Sequence, residues 1–233
     1  MNPLKSRVLI VDDHPILRHG IGQLLNREPD LEVCAEAGDR DEALAVLARE
    51  HVDLAVVDIS LDGVSGLDLL KLVRERHPTV RCLVLSMHEE TLYAERALRA
   101  GARGYVMKQE ATRRITAALR RIRDGHIYVS EQLGSMLLGR LVDAPAQAAA
   151  AASPLEGLSD RELEVLRLIG RGYKTGEIAQ TLKRSVNTVD AHRANIKRKL
   201  GLKSGAELAR VAFQLADRDP ASPRSASAGE HDA

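Results

Sequence analysis

Five side chains in the first half of this 233-residue chain have the types and spacing to act together on a phosphoryl group. Asp12 and Asp13 follow the apolar run 8–11, Asp58 follows the run 54–57, Ser86 ends the run 80–85, and Lys108 follows the run 105–107. Three carboxylates brought to one place repel one another unless they are protonated or neutralised by a cation. Hard oxygen donors favour Mg²⁺, which keeps several waters and takes only one or two protein carboxylates directly. A remaining carboxylate can then act as nucleophile, with a hydroxyl and an ammonium to receive the charge of the incoming group. The chemistry that suits this set is phosphoryl transfer onto Asp58. Taken singly, each of these residues reads more readily as an ordinary polar residue ending a strand; five such positions together favour the joint reading.

Positioning them requires a sheet whose strands all end on one side. The apolar runs 8–11, 31–35, 54–57, 80–85 and 105–107 read as strands. Helical periodicity separates them near residues 15–26, 39–49, 66–76, 89–99 and 110–123. The pattern is (βα)5. Runs that are apolar at consecutive positions suit strands buried on both faces, as in a parallel sheet covered by helices on both sides. The expected class is doubly wound α/β, whose sites lie at the carboxyl ends of the strands. Pro15 is placed to open a helix, and Gly101 and Gly104 mark the turn into the last strand.

Composition narrows the rest. No run approaches the roughly 20 apolar residues that span a bilayer, and the first apolar stretch is too short for a signal-peptide core, so a soluble cytoplasmic protein with no membrane partner is expected. Cys34 and Cys82 lack metal-site spacing and read as reduced core residues. With one Phe, four Tyr and no Trp, the composition speaks against base stacking on an aromatic platform. The net charge of +1 conceals a gradient: residues 1–130 carry net −1, residues 131–233 net +2, and residues 183–203 alone carry +6, with Asp190 the single acid among seven Lys and Arg.

The segments VLIVDDHPILRHGI, VVDISLDGVSGLDLL, CLVLSMH and GARGYVMKQEA resemble the receiver domain of bacterial response regulators, over residues 6–125. The resemblance implies a flavodoxin-like fold with Asp58 as phosphoacceptor. It makes Asp13 a direct Mg²⁺ ligand, Asp12 a ligand through water, and Ser60 a ligand through its backbone carbonyl. It makes Ser86 the switch hydroxyl, Lys108 the ion-pair partner of the phosphoryl group and Tyr105 the aromatic that moves with it. From the residues alone, Tyr105 reads as a core or interface aromatic. Three positions depart from the family pattern: Asp62 stands where Pro is usual, Met87 where a small residue is common, and Gln109 where Pro often follows the lysine.

The second half is helical. Residues 130–141 read as a connecting helix, and the Ala-rich residues 143–154, bounded by prolines, as a linker. Residues 159–216 show four helical segments, and residues 217–233 have the composition of a disordered tail. Domains are thus expected at 1–125, 126–154 as connector, 155–216 and 217–233. Ser159 and Glu162 form a capping box, and Ser185 caps a helix over 186–200 that follows a shorter one after a tight turn. On that helix Val189, Ile196 and Leu200 share one face, while Asn187, Ala191, Ala194 and Arg198 lie opposite, flanked by Asp190, Asn195 and Lys197. A solvated charged helix is the plain reading of the charge alone; the capped helix-turn-helix setting favours a recognition helix in the major groove.

Residues 156–212 resemble the LuxR-type helix-turn-helix domain, and its pairing with a receiver is that of the NarL/FixJ response-regulator subfamily. The resemblance implies base contacts from Asp190, Ala191 and Ala194, and backbone contacts from Thr188, His192, Lys197 and Lys203; Asn187 and Arg198 join them on the outer face. His192 alone would read as a partly buried helix histidine. Leu208, Val211, Ala212 and Leu215 form a last apolar stripe, which reads equally as a family dimer contact or as monomer core. The expected partners are a sensor histidine kinase, double-stranded promoter DNA, a second copy of the chain when phosphorylated, and RNA polymerase. The function expected is a phosphorylation-controlled transcription regulator, not an enzyme. Two other readings compete. One is a DNA-binding regulator whose receiver no longer uses phosphate, kept in play by Asp62 and Met87. The other is a Mg²⁺-dependent aspartyl-nucleophile phosphatase, which needs a second acid/base carboxylate at position 60, where Ser60 stands.

Overall fold

A computed structural model describes residues 5–61, 65–87, 90–142, 154–182 and 184–216. The residues singled out at 62, in most of the linker and in the tail from 217 lie outside the described residues. The chain divides into two compact units, Met1–Pro145 and Ala146–Ala233.

The first unit alternates β1 (Ser6–Val11), α1 (Pro15–Asn26), β2 (Leu31–Ala37), α2 (Arg40–Arg49), β3 (Leu54–Asp58), α3 (Gly66–Arg76), β4 (Arg81–Ser86), α4 (Glu90–Ala100), β5 (Ala102–Met107) and α5 (Ala111–Arg123), followed by α6 (Glu131–Val142). All strands pair in parallel in the order β2-β1-β3-β4-β5. The chain reverses direction across the sheet between β1 and β3, so the crevice at that switch point lies where both strands end in aspartate. β3 is buried throughout and β1 and β4 nearly so, which is why they read as unbroken apolar runs. β2 is an edge strand with five half-buried or exposed positions out of seven. It corrects the expectation for Cys34, which is half-buried on that edge, whereas Cys82 is buried in β4.

Alternation along the strands divides the core. Val8, Ile10, Leu54, Val56, Leu83 and Leu85 meet Leu25 of α1 and Ile115, Leu119 and Ile122 of α5, while Leu9, Val11, Val57 and Val84 are buried on the opposite face. Each such side chain contributes about 1.5–3 kcal/mol of burial. α5 places Ala111, Ile115, Ala118, Leu119 and Ile122 inward, and the arginines of its last turn reach the amino ends of the strands. After α5 the chain runs beside β5: Tyr128 donates to the carbonyl of Arg103 and accepts from the N–H of Tyr105, both at 2.9 Å. Ser130 N–H then donates to Glu90 Oε1 at 2.7 Å, which ties the start of α6 to α4.

In the second unit α7 (Asp160–Gly170), α8 (Thr175–Thr181), α9 (Val186–Leu200) and α10 (Gly205–Ala216) enclose Leu163, Leu166, Ile178, Val189, Ile196 and Leu208. The capping box at Ser159 and Glu162 is formed. Glu162 also accepts from Lys199 Nζ at 2.7 Å, fixing the end of α9 to the start of α7. Lys199 and the Ser159 donors hold its carboxyl below the usual range against the opposing effect of burial. α10 lies so close to α7 that a Cβ on Gly170 would stand 2.2 Å from the carbonyl oxygen of Ala212. Leu208, Ala212 and Leu215 are accordingly buried within the unit, so these three belong to its core.

Candidate functional site

Register alone brings the acidic residues together. Val11 of β1 pairs with Val57 of β3, so Asp12 and Asp58 leave the sheet side by side. Asp58 in turn pairs with Leu85, and Ser86 with Met107, so Ser86 and Lys108 emerge one and two strands further on. Neighbouring strands are about 4.8 Å apart, close enough for one lysine to bridge two of them. Lys108 Nζ lies 2.7 Å from Asp12 Oδ2 and 2.8 Å from Asp58 Oδ2. The second oxygen of Asp58, Oδ1, accepts the N–H of Ser60 at 3.1 Å. Asp12, Asp58 and Ser86 are buried, and Asp13 is half-buried.

Burial pushes the Asp58 carboxyl above its ordinary range; Lys108 pulls the other way and the charge of Asp12 adds to the rise. Burial works against the Lys108 ammonium too, but Asp58 and Asp12 outweigh it and hold its pKa above the usual value. Two carboxylates thus share Lys108 while a third, Asp13, stands beside them against the His14 ring, and a divalent cation would remove the surplus negative charge. Donor atoms of Asp12, Asp13, Asp58 and also His14 lie within 4.8 Å of one another. An oxygen-rich set of this kind fits Mg²⁺.

Three contributors went unread in the sequence. His14 donates its backbone N–H to Asp12 Oδ1 at 2.8 Å, and its ring Nδ1 lies 2.7 Å from Asp13 Oδ1. Its place directly after the aspartate pair was the available signal. Arg18, one turn into α1, donates to the Asp12 carbonyl at 2.5 Å and pairs with Glu36. Gly66 is required by a close approach: its N–H donates to the Ile59 carbonyl at 2.8 Å, and a Cβ there would stand 2.0 Å from the carbonyl oxygen of Asp58. Ser65 caps α3 beside it by accepting from Leu67 N–H. The start of α3 therefore packs directly under the backbone that presents Asp58.

The remaining named residues fall as follows. Tyr105 is buried in β5 and holds the Tyr128 carbonyl through its N–H, so it is coupled to the segment that leads into α6. Met87 is exposed just after Ser86. Gln109 is exposed in a single 3₁₀ turn, Lys108–Glu110, with a trans peptide before it.

In the second unit α9 starts where Ser185 Oγ accepts the Thr188 N–H at 3.1 Å, and ends at Gly201 in a left-handed conformation. Val189 and Ile196 are buried. Asn187, Asp190, Ala191, Ala194 and Arg198 are exposed, Thr188, His192 and Lys197 are half-buried at the flanks, and Lys203 is exposed just beyond the helix. The outer face is thus broad, has small residues at its centre and becomes basic towards its end, a shape and charge that fit a major groove lined by phosphates.

The profile described as response regulator receiver domain matches residues 8–120, and that of the bacterial regulatory proteins of the luxR family matches residues 156–212. The oxygen regulatory protein NreC of Staphylococcus aureus is 37% identical over 210 residues, covering 89% of this chain and 97% of that protein. NreC of Staphylococcus epidermidis is 35% identical over 211 residues, with coverage of 89% and 97%. Among solved structures, the RcsB response regulator of Salmonella typhimurium is similar at a TM-score of 0.63 and 26% identity, covering 91% of this chain and 98% of that one. RcsB of Salmonella enterica serovar Typhimurium bound to the promoter rprA in the presence of phosphomimetic BeF3⁻ is similar at a TM-score of 0.58 and 25% identity, covering 90% and 98%. A parallel five-stranded sheet with its acids at one edge, a capped helix-turn-helix unit, and relatives matched nearly end to end place the chain in the family of response regulators that join a receiver to a LuxR-type DNA-binding domain.

Proposed function

We propose that residues 1–125 form a receiver phosphorylated on Asp58 by a sensor histidine kinase, and that residues 155–216 bind promoter DNA as part of a homodimer. The observation that carries this reading is the cluster of Asp12, Asp13 and Asp58, in which Lys108 bridges Asp12 and Asp58. In the transfer, an oxygen of Asp58 attacks the phosphorus of a phosphohistidine. The P–N bond breaks, the imidazole leaves, and an acyl phosphate remains on Asp58. Lys108 exchanges its contact with Asp58 Oδ2 for a phosphoryl oxygen, and the Ser86 hydroxyl turns to donate to another. Asp12, Asp13, Asp58 and the Ser60 carbonyl would hold Mg²⁺, which supplies charge neutralisation at the phosphoryl oxygens. Asp12 stays anchored throughout by the N–H of His14.

A two-state receiver is biased by the group it carries. Movement of Ser86 towards the phosphoryl group draws on β4 and β5, and Tyr105 passes it through its hydrogen bond with Tyr128 to the connecting segment 126–154. On the second unit Asn187, Asp190, Ala191 and Ala194 face base edges, while Thr188, His192, Lys197, Arg198 and Lys203 face the backbone. Ser60 in place of an acid/base carboxylate, with its N–H committed to Asp58, favours a switch over a turnover phosphatase. The protein works in the cytoplasm, where kinase and DNA meet it; RNA polymerase is the next partner of a promoter-bound regulator. Among the described residues, no helix is long and apolar enough to cross a membrane.

Gel shifts test this with duplexes enriched by the chain from a randomised pool. A small acyl-phosphate donor with Mg²⁺ is expected to tighten binding several-fold in the wild type and to leave Asp58→Asn unchanged. Equal tightening in both would overturn the role of Asp58. Tight binding that ignores the donor in both would favour the phosphate-independent reading.

A further inference from the structure

The outer face of α9 is unusual for a surface that meets DNA, because its first half carries an acid and no base. Asn187, Asp190, Ala191 and Ala194 are all exposed. Successive residues turn by about 100°, so these four cluster on one side. Arg193, the only Lys or Arg between residues 186 and 196, follows Asp190 by three residues, about 60° round the helix, and is half-buried without an ion pair to it. Among the described residues around α9, the exposed cation Arg184 precedes the Ser185 cap, and the exposed cations Arg198, Lys199 and Lys203 come at the end of the helix and beyond it. Asp190 has no cationic partner among the described residues, so its carboxylate is available to a ligand.

A free carboxylate at a DNA surface repels phosphates and lowers affinity unless a base edge uses it. In the major groove guanine offers two acceptors, N7 and O6, and thymine offers O4; each would meet the carboxylate with like polarity. Adenine offers the N6 amine but places the acceptor N7 beside it. Cytosine offers its N4 amine as its sole major-groove hydrogen-bonding group, so a carboxylate fits it best. The nearby Ala191 and Ala194 methyls can do no more than contact apolar edges such as the thymine methyl.

Building on the proposed DNA-binding role, we infer that Asp190 is the specificity-determining residue of the recognition helix and selects cytosine on the strand it reads. The first half of the helix recognises its half-site through the Asp190 carboxylate, the Asn187 amide and methyl groups. Selection at that one base pair is expected to be about tenfold or more.

The test enriches duplexes from a randomised pool with the full chain in the presence of Mg²⁺ and a small acyl-phosphate donor, beside Asp190→Asn and Asp190→Lys. In the wild type one pair of each half-site should be C·G, with cytosine on the strand read. Asp190→Lys should invert that same pair to G·C, because lysine seeks guanine acceptors. Asp190→Asn should move it to A·T with adenine on the same strand. The other columns should stay. A motif in which no column moves with either variant, or in which the moving column holds A·T in the wild type, overturns this inference while leaving DNA binding intact. Failure of all three chains to enrich any sequence overturns the DNA-binding role, and this inference with it.

Discussion

At the amino ends of the strands Glu28 and Asp30 meet Arg120 at 2.6 Å, Arg123 adds a contact to Asp30 at 2.7 Å, and Glu32 and Glu50 meet Arg7 at 3.3 and 2.6 Å. Arg81, with its guanidinium on the carbonyls of Ile122 and Arg123, closes the same edge. At the carboxyl ends of the same sheet Asp12, Asp13 and Asp58 are more deeply placed, and one lysine bridges Asp12 and Asp58. One edge matches acids with bases, and its charges hold α5 and β2 in place. The other carries a surplus of negative charge in a low-dielectric setting, which costs stability and is relieved by a cation. Charge density alone therefore does not mark a site; imbalance together with burial does.

The sharpest way to break the contrast is to disturb the scaffold beneath the unbalanced edge. Gly66→Ala puts a Cβ 2.0 Å from the Asp58 carbonyl oxygen, against backbone that cannot rotate away. A loss of about 3 kcal/mol is expected in urea unfolding, with phosphorylation reduced because Asp58 moves. A loss below about 0.5 kcal/mol would show that α3 can retreat freely.

A smaller effect is expected at the balanced edge. Arg120 holds the Asp30 carboxyl well below the usual range, against burial and with help from Arg123. The stabilisation is therefore complete above the unfolded-state pKa of about 3.9 and fades as pH falls through the depressed value. Asp30→Asn should cost about 1 kcal/mol at pH 7, discounted for partial exposure. The two chains should converge only as pH falls below the depressed Asp30 pKa, as read from urea midpoints across pH. The smallest effect has the opposite sign. Asp13→Asn relieves like-charge repulsion and should gain about 0.5 kcal/mol in the presence of a chelator, while losing part of the stabilisation that Mg²⁺ gives the wild type. A loss of stability from both substitutions would erase the contrast between the two edges.

Much of this was legible in the sequence because it depends on local order. Asp12, Asp58, Ser86 and Lys108 each end or follow an apolar run, and parallel strands in register must deliver such residues to one edge. The bounds 15–26, 66–76 and 186–200 for helices agree with α1, α3 and α9, each opened by Pro15, Ser65 or Ser185. What was not legible depends on approach in space. Gly66 looks like any helical glycine until α3 is packed under β3. The pairing of Tyr128 with β5 arises because that edge lacks a further strand, and the short run of residues 126–130 carries no strand pattern of its own. Cys34 reads as core from its apolar neighbours and becomes half-buried because β2 is an edge. Leu208, Ala212 and Leu215 read equally as core or dimer contact until the close approach at Gly170 assigns them inward.

The central claim is that the unbalanced edge, and not the balanced one, carries the reaction. Intact mass after incubation with Mg²⁺ and a small acyl-phosphate donor tests it most directly, on wild type, Asp30→Asn and Asp58→Asn side by side. One phosphoryl group on the first two and none on Asp58→Asn is the expected result. An adduct that survives in Asp58→Asn, or a wild type that stays unmodified under conditions where a donor-reactive control protein is labelled, would contradict it.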